Sequence, residues 1–340
     1  MLSRRHFLLG ALALGLSAGC RGGRDRILNF YNWSNYIALN TIGDFEKESG
    51  IRVNYEEFSS ADVSFAKLKI GVTGYDLIVA PGYMVRRMMR HDLLYPLGPE
   101  LSLPEFLPHI EAPPFDPEQK YSAPYLWGTT GIGYNARKIR NAPASWSLLW
   151  EQSLAKRITI LDEKRDAIGV ALFKLGLDPN SVDPGELQLA KKELLKQRPL
   201  VRRYTSDFTD DLIRGETWAA LGWSGDVAQA QDSNPDIRYI LPEEGSFLFV
   251  DSLVVPRSAP HPEAALEFIN YFFRPEVCRD ITNATGYANP VAASKPLVRP
   301  ELIDNNLGYP PDEVLSNLHY QEDVGEYESV WDDLWAEVKR

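Results

Sequence analysis

The sequence ILNFYNWSNYIALNTIGDFEKESGIRVNYEEF, residues 27–58, predicts a strand, a helix and a second strand in direct succession. Residues 27–33 are apolar and aromatic, which is typical of a strand. Residues 40–48 place apolar side chains on one helical face, and Gly50 supplies a stop signal. Residues 51–55 alternate between apolar and polar side chains, as a half-buried strand does. This order indicates the beginning of an α/β fold.

The same alternation of strands and helices continues downstream. Residues 64–70 predict a helix, residues 75–81 a buried strand, and residues 84–90 a further helix. A βαβαβ order of this kind implies a parallel sheet covered by helices. Prolines then crowd residues 96–124, which we interpret as a long surface connection leading to the extended segment 125–135.

A second α/β unit follows this connection. A chain of 340 residues exceeds one typical domain, so we expect two lobes with a cleft between them. The predicted strands of the second unit are 157–162, 217–223, 238–245 and 247–256. Its predicted helices are 166–175, 184–197 with Asp183 as the cap, 226–231, and a pair within 261–286 broken near Pro275.

The composition indicates a folded protein with an acidic surface. Hydrophobic residues make up 44% and charged residues 24% of the chain, which is ordinary for a globular protein. The formal net charge of −11 argues against a nucleic-acid partner. An aromatic fraction of 11% on an acidic chain suits a cationic ligand.

The first residues predict an export signal. The twin arginines at 4–5 precede an apolar run at 7–16 that is too short to span a bilayer. Small residues then stand directly before Cys20, so residues 1–19 predict a twin-arginine signal joined to a lipoprotein cleavage box. The alternative is an ordinary secretory signal in which Cys20 is incidental.

The two cysteines have separate expected roles. Lipidation of Cys20 anchors the mature protein to a membrane, with residues 20–26 as a short tether. Cys278 then has no disulfide partner, and we expect it to be buried on a helix. No other segment of the sequence is apolar over the length that a membrane helix needs. We therefore expect an exported protein that is held to a membrane by lipid.

Enzyme and metal motifs fail on their spacing. Residues 222–225 resemble a nucleophile elbow, but Asp226 stands where the last glycine is required. Residues 131–136 match a loose dinucleotide fingerprint without the preceding first strand. The histidines outside the signal segment offer no pair at zinc-ligand spacing. We therefore expect no catalytic activity, no cofactor and no metal.

Aromatic and acidic side chains cluster at the predicted strand ends. In open α/β sheets, ligands bind beyond the carboxyl ends of strands. Rings combined with carboxylates, with Arg165 as the one adjacent basic residue, describe a box for an organic cation. These candidate residues are Trp33, Tyr36, Tyr83, Glu163, Asp166, Trp223, Phe249 and Asp251, the last two being on one face of the same strand.

Each candidate also has a purely structural interpretation. Trp33 and Tyr36 suit a hydrophobic core, and Asp251 suits a turn or a cap. The acidic pair at 163 and 166 suits a solvated helix start, where carboxylates stabilise the helix dipole. Their joint placement at strand ends favours ligand contact. Tyr31 shares the strand face of Trp33 but lies deeper, so we assign it to packing.

Several motifs resemble, in order and spacing, those of the bacterial spermidine/putrescine-binding periplasmic proteins of polyamine ABC transporters. The resemblance covers nearly all of residues 27–335. The motifs are YNWSNY (31–36), ESGI (48–51), YDLIVAPGYMV (75–85), PFDPEQKYSAPYLWGTTGIGYN (114–135), LGWSGD (221–226), VDSLVVP (250–256), TGYANP (285–290) and QEDVG (321–325).

The resemblance implies a type II periplasmic-binding fold: α/β, with two lobes, each a mixed sheet flanked by helices, and a ligand cleft between them. It also implies a polyamine ligand, the permease and ATPase of an ABC transporter as partners, an extracytoplasmic location and a monomeric protein. We place one lobe at 27–128 plus 251–290 and the other at 131–248 plus 295–340. The expected hinges lie near 129–133, 246–250 and 290–296.

Carried over position by position, the resemblance also implies roles in the cleft. Trp33, Tyr36 and Tyr83 match rings that line the polyamine site, and Trp223 matches a ring beside the methylene chain. Asp251 matches the carboxylate that recognises an amine. Of the remaining positions, Glu163 and Asp166 match two further acids, Phe249 a further ring, and Tyr287 and Gln321 polar contacts.

Three departures leave the choice of polyamine open. Pro81 stands where the spermidine-type members have a serine, and Phe249 stands where they have a tryptophan. Glu163 and Asp166 exchange the Asp and Glu of that pattern.

Three other functions remain to be weighed. A binding protein for ferric iron would use the tyrosines at 36, 83 and 287 as ligands. A hydrolase would use Glu163 and Asp166 as acid and base. A sensor would bind a polyamine without transporting it.

Overall fold

The computed structural model describes residues 26–58, 60–70, 74–303 and 307–340. The predicted signal segment, the cleavage box and Cys20 lie outside the described residues. Within these ranges, every helix falls short of the length and apolarity that a membrane span requires.

The strands of the described residues share one connected path of sheet. They are β1 (Ile27–Trp33), β2 (Arg52–Phe58), β3 (Leu77–Pro81), β4 (Ser122–Asn135), β5 (Ile158–Ile160), β6 (Val201–Tyr204), β7 (Ala219–Trp223), β8 (Ile237–Ile240), β9 (Ser246–Val254) and β10 (Leu318–Tyr320). The order is β2-β1-β3-β9-β4-β7-β5-β6, with β10 beside β9 and β8 beside β4.

Helices flank this sheet. The α-helices are α1 (Thr41–Ser49), α2 (Ala61–Lys69), α3 (Gly82–Arg90), α4 (Lys164–Lys174), α5 (Pro184–Gln197), α6 (Thr209–Arg214), α7 (Ser224–Ser233), α8 (Pro262–Phe272), α9 (Pro275–Thr285), α10 (Pro300–Ile303), α11 (Asp312–Leu315) and α12 (Glu328–Lys339). Short 3-10 helices lie at Trp146–Trp150, Gln152–Leu154, Arg198–Leu200, Ala292–Leu297 and Gly325–Tyr327.

The long strands β4 and β9 connect two lobes. β1 pairs in parallel with β2 and β3, and β9 joins β3 in the antiparallel direction. β4 pairs with β9 over 122–129 and then with β7 and β8 over 130–135. We call the part built on β1–β3 the first lobe and the part built on β5–β8 the second lobe. Each lobe is a mixed sheet flanked by helices, which confirms the expected α/β class.

Alternate residues of β1 face two different packing clusters, as a strand requires. Phe30 packs against Phe268 of α8, with ring centroids 5.0 Å apart. Tyr31 points to the opposite face, where it is only 2% exposed and stacks on Tyr75 with centroids 4.5 Å apart. Tyr31 is therefore a packing residue, as its sequence position predicts.

Capping and proline residues determine several helix ends. The side chain of Asp183 accepts a hydrogen bond of 2.9 Å from the backbone N–H of Glu186, which caps α5 at its predicted first residue. Pro275 begins α9 and separates it from α8, as predicted. Cys278 is a free, buried cysteine of α9, which confirms its expected placement.

Several elements differ from the expectation. The strand predicted over 238–245 is the shorter β8 (Ile237–Ile240), and β10, α10 and α11 match no predicted element. β4 begins at Ser122, inside the predicted proline-rich connection. Pro124 is tolerated there because the pairing with β9 is irregular between Pro124 and Leu126. The sequence also gave no prediction of β6 or α6, because VRRY is a short strand with two exposed arginines at 202–203 and α6 has only 6 residues.

Candidate ligand-binding cavity

A cavity of about 610 Å³ lies between the two lobes, where β1, β3 and β7 end. This is the position at which open α/β sheets bind ligands. All ten residues proposed from the sequence line it: Trp33, Tyr36, Tyr83, Glu163, Asp166, Trp223, Phe249, Asp251, Tyr287 and Gln321.

Asp251 lies in the middle of β9, opposite Pro81 of β3 and Leu126 of β4. Burial raises the pKa of Asp251 to about 7, while the neighbouring Tyr36 hydroxyl lowers it. That hydroxyl is itself buried and has no hydrogen bond of good geometry within the described residues. Asp251 is therefore a central carboxylate flanked by a polar group with spare hydrogen-bonding capacity.

Asp226 is a lining carboxylate that the sequence did not single out as a site residue. It lies in the first turn of α7, and burial raises its pKa to about 7, against a lowering by the Tyr287 hydroxyl. A Cβ atom at Gly225 would overlap the Tyr287 ring, so glycine permits this close approach. The sequence signal that could have identified Asp226 is its place in the first helical turn after the predicted strand end at Trp223.

Glu163 and Asp166 lie together at the start of α4. Asp166 accepts a hydrogen bond of 2.6 Å from the Thr130 hydroxyl of β4. The Oε1 atom of Glu163 is buried without a partner in the described structure. Burial is the main cause that raises the pKa of both carboxyl groups, and Asp166 adds to the effect on Glu163.

Arg165, between these two acids in sequence, faces away from the cavity lining. Its Nη2 atom donates to the side-chain oxygen of Asn180 at 2.7 Å and to the backbone oxygen of Glu322 at 2.9 Å. Its guanidinium carbon lies 4.0 Å from the centre of the Trp331 ring. Arg165 thus supports the wall of the cavity from behind.

Aromatic rings cover both sides of the cavity. Trp33 of the first lobe and Trp223 of the second lobe have centroids 6.3 Å apart. Tyr36 meets Tyr287 edge-on at 4.8 Å, and Phe249 meets Tyr287 at 6.1 Å. The indole N–H of Trp33 is buried without a partner among the described residues. The rings offer both flat apolar faces and free donors to a ligand.

Six carboxylates line the cavity: Asp162 and Asp207 are exposed, and the other four have no ion-pair partner among the described residues. Among the described residues, no Lys, Arg or His lines the cavity, and none of the four forms an ion pair. Buried charges are stable only when they are paired or hydrogen-bonded. A cavity with this lining fits a cation that arrives from outside. These four carboxylates are Glu163, Asp166, Asp226 and Asp251.

The fold and the cavity together define a two-lobed solute-binding protein. Residues 40–306 match the family model of bacterial extracellular solute-binding proteins. The chain is similar to the spermidine/putrescine-binding periplasmic protein of Salmonella typhimurium, at 34% identity over 342 residues and 98% of each chain. It is also similar to the putrescine-binding periplasmic protein PotF of Escherichia coli, at 35% identity over 92% of this chain and 90% of that one.

A similar solved structure supports the same family assignment. A putative spermidine/putrescine ABC transporter protein from Listeria monocytogenes superimposes with a TM-score of 0.87 at 31% identity, covering 92% of this chain and 99% of that chain. The chain therefore belongs to the bacterial extracellular solute-binding protein family and, within it, groups with the spermidine/putrescine-binding periplasmic proteins.

Proposed function

We propose that this protein binds a linear polyamine in the inter-lobe cavity and delivers it to the permease of an ABC transporter. The observation that carries the proposal is a set of four carboxylates between aromatic rings, three of them buried and Asp226 half-buried, with no basic side chain in the described lining. The relatives named for spermidine and putrescine support the same ligand class.

The chemistry of a polyamine complements this lining. Its ammonium groups are separated by apolar methylenes, so carboxylates serve the ends and flat rings serve the chain between them. An ammonium over an aromatic ring contributes roughly 0.5–2 kcal/mol. A hydrogen bond to a charged partner contributes about 1.5–3 kcal/mol net. Two or three such contacts reach micromolar affinity, which corresponds to about −8 kcal/mol.

The proposed contacts follow from position in the cavity. Asp251 receives one ammonium, with the Tyr36 hydroxyl beside it, and Trp223 lies along the methylene chain. The acidic pair of α4, with Gln321 next to Asp166, receives the amine at the other end. Tyr83 and Phe249 complete the apolar walls, and Tyr287 with Trp33 supplies further ring and donor contacts.

Ligand capture uses closure of the lobes. We assign residues 27–128 plus 251–290 to the first lobe and 131–248 plus 295–340 to the second, with hinges near 129–133, 246–250 and 290–296. The change of pairing partner in β4 between Thr129 and Thr130 supports the first hinge. Closure removes water from the carboxylates and strengthens their contacts with ammonium.

Export and anchoring complete the proposal. Residues 1–19 direct export, lipid on Cys20 holds the protein at the membrane through the tether 20–26, and the monomer meets the permease and ATPase there. Relatives named as periplasmic proteins support the compartment. We further propose that the ligand is released unchanged, without catalysis.

A thermal-shift panel tests the ligand class. Putrescine, cadaverine, spermidine, spermine and agmatine are each added, with ferric citrate as the test of the iron alternative. A ligand at about 100 times its dissociation constant stabilises the folded protein by about 2.7 kcal/mol, so a clear rise in Tm is expected for at least one amine. No shift with any amine at millimolar concentration contradicts the proposal, as does a shift with iron alone. Recovery of the bound amine intact, by mass spectrometry, tests the absence of catalysis.

A further inference from the structure

A cluster of charged side chains joins the two lobes beside the cavity, and we propose that it is an electrostatic latch that favours the closed arrangement. This rim cluster consists of Asp62 and Arg87 from the first lobe and Lys164, Glu328 and Asp332 from the second lobe. The inference rests on the lobe closure of the proposed function, but it concerns residues outside the cavity lining.

Lys164 is the centre of the rim cluster. Its ammonium lies 2.7 Å from Asp62 of α2, 2.6 Å from Glu328 and 2.5 Å from Asp332. Oxygens of these three carboxylates lie within 4.8 Å of one another. Carboxylates at such separations repel unless a cation lies between them. Lys164 supplies that cation, and only Asp62 of the three comes from the opposite lobe.

Arg87 makes a second crossing between the lobes. Its Nη1 atom lies 3.1 Å from Glu328 and 3.3 Å from Asp62. Its guanidinium also covers the ring of Phe65, at 4.1 Å from the centroid, which fixes the side chain on its own lobe. Arg87 and Lys164 thus share the Glu328 carboxylate from opposite sides of the boundary.

Arg90 makes a third crossing, one helical turn further along α3. Its Nε atom lies 2.6 Å from Asp323 and its Nη2 atom 2.9 Å from the same carboxylate. Asp323 stands between β10 and α12, on the second lobe. This pair has the two-point geometry that makes Arg–carboxylate contacts strong.

Each crossing contains at least one mostly buried charge, which distinguishes it from an ordinary surface ion pair, while Asp62, Arg90 and Asp332 are 41%, 42% and 54% exposed. The Lys164 and Asp323 side chains are each 5% exposed, and Glu328 is 12% exposed. Exposed pairs contribute little because water and salt screen them, whereas partly buried pairs are screened less. Separating the lobes hydrates these groups and breaks all three crossings together.

The latch adjoins the ligand site directly. Lys164 follows Glu163 in the chain, and Ser60, which lines the cavity, precedes α2 and Asp62. Tyr83 lies on α3, the helix that carries Arg87 and Arg90. Motion that separates the two lobes at the cavity therefore also separates the charges of the latch. The chain thereby contributes part of the attraction that holds an amine in the closed site.

The experiment compares two double variants of equal net charge. Asp62→Asn with Arg90→Gln removes the contacts of two crossings and leaves Lys164 with Glu328 and Asp332. The control, Glu48→Gln with Arg214→Gln, breaks two ion pairs that lie within single lobes, Arg274–Glu48 and Arg214–Asp210. Each protein is measured by small-angle X-ray scattering without amine, and by stopped-flow tryptophan fluorescence for the dissociation of putrescine and spermidine.

The expected results distinguish the latch from the ligand class. Without amine, the latch variant has a larger radius of gyration than the wild type and the control, and salt at about 1 M expands the wild type toward the variant. The variant releases amine about threefold faster or more, while the control does not. Identical radii and release rates in all three proteins overturn the latch. If no amine changes the fluorescence, the proposed function fails, and the radii alone decide whether the latch exists.

Discussion

Two groups of carboxylates lie at the boundary between the lobes, and they differ in the source of the positive charge that balances them. The rim cluster contains Lys164 and Arg87, which contact Asp62, Glu328 and Asp332 directly. The cavity lining contains three carboxylates that are at most 6% exposed, those of Glu163, Asp166 and Asp251, and no basic residue appears in its described part. The rim carboxylates are thus balanced by basic side chains of the protein itself, whereas we propose that the cavity carboxylates are balanced by a ligand.

The pKa shifts of the two groups have opposite consequences for charge. Burial opposes the charge of Lys164, but Asp62, Asp332 and Glu328 together raise its pKa, so the ammonium persists. In the cavity, burial raises the pKa of Asp251 and of Asp226 to about 7, so the empty site partly neutralises itself with protons. On the proposed function, a bound ammonium replaces those protons. Similar residue types therefore build a structural contact in one place and a receptor in the other.

The largest expected effect comes from giving the cavity its own ammonium. Gln321 lies beside Asp166 and lowers the pKa of that carboxyl by hydrogen bonding. Gln321→Lys places a charged amine there, as Lys164 is placed in the rim cluster. Because like charges in a desolvated site cost several kcal/mol, putrescine and spermidine should bind at least about a hundredfold more weakly by titration calorimetry.

Gln321→Met is the matched control for that variant, because it removes the amide without adding charge. We expect it to weaken binding by only about threefold, the loss of a single neutral hydrogen bond. If Gln321→Lys bound polyamines as tightly as the wild type, the absence of a basic residue would not be what makes the cavity a cation receptor.

Removing the central carboxylate is the next largest effect. Asp251→Asn leaves the ammonium with its desolvation cost and without its counter-charge, so affinity should fall by about tenfold or more. Asp44→Asn, on the exposed face of α1, makes the same change of net charge outside the cavity and should leave affinity unchanged. Unchanged affinity in Asp251→Asn by titration calorimetry would show that the amine binds elsewhere.

Much of the fold could be predicted because its local signals agree with one another. The β1–α1–β2 order, the Asp183 cap and the break at Pro275 each appear in the sequence and recur in the structure. β4 was predicted too short because Pro124 obscured the start of a strand whose pairing partner, β9, lies more than a hundred residues away. Such pairing is a property of the tertiary structure and leaves no local pattern.

The cavity residues could be predicted better than the rim cluster, because strand ends leave a local pattern in the sequence and contacts between distant segments do not. The strand-end rule selected Trp33 and Trp223, and a strand face shared with Phe249 selected Asp251. Asp226, one helical turn beyond Trp223, was not selected. The rim cluster joins residues separated by up to 270 positions, from Asp62 to Asp332. Nothing local to either residue indicates that their lobes meet there.

The pH dependence distinguishes the two groups further. A carboxyl group with a pKa of about 7 in the folded protein and about 3.9 in the unfolded chain binds more protons when folded. The free energy of unfolding of the amine-free protein should therefore fall as the pH rises from about 4 to about 7. Ammonium binding requires ionised carboxylates, so each carboxyl with a pKa of about 7 that must ionise should raise the affinity about tenfold between about pH 6 and about pH 8. Thermal unfolding measures the stability and titration calorimetry measures the affinity over this pH range.

Asp251→Asn provides the control for the pH series, because it removes one carboxyl whose pKa is raised to about 7. Its affinity should rise less steeply with pH than that of the wild type, because the contribution of one titrating carboxyl is lost. Asp62→Asn changes a carboxyl outside the cavity lining, so its affinity should rise with pH as steeply as that of the wild type. A wild-type affinity that falls with rising pH would contradict the assignment of the cavity acids as ammonium partners.

The smallest expected effect concerns the rings, which both groups place over cations. In the rim cluster, Arg87 lies 4.1 Å from the centroid of Phe65, and in the cavity Trp223 is the ring that we propose lies against the ligand. Trp223→Ala removes a contact worth roughly 0.5–2 kcal/mol, so affinity should fall by between about twofold and thirtyfold. Trp223→Phe keeps a flat ring and should lose less than the alanine variant does. Because a ring face is indifferent to the number of ammonium groups, both variants should preserve the wild-type ratio of putrescine to spermidine affinity, measured by calorimetry. A change in that ratio would assign Trp223 to recognition of one particular amine and leave the carboxylates with the smaller part in selectivity.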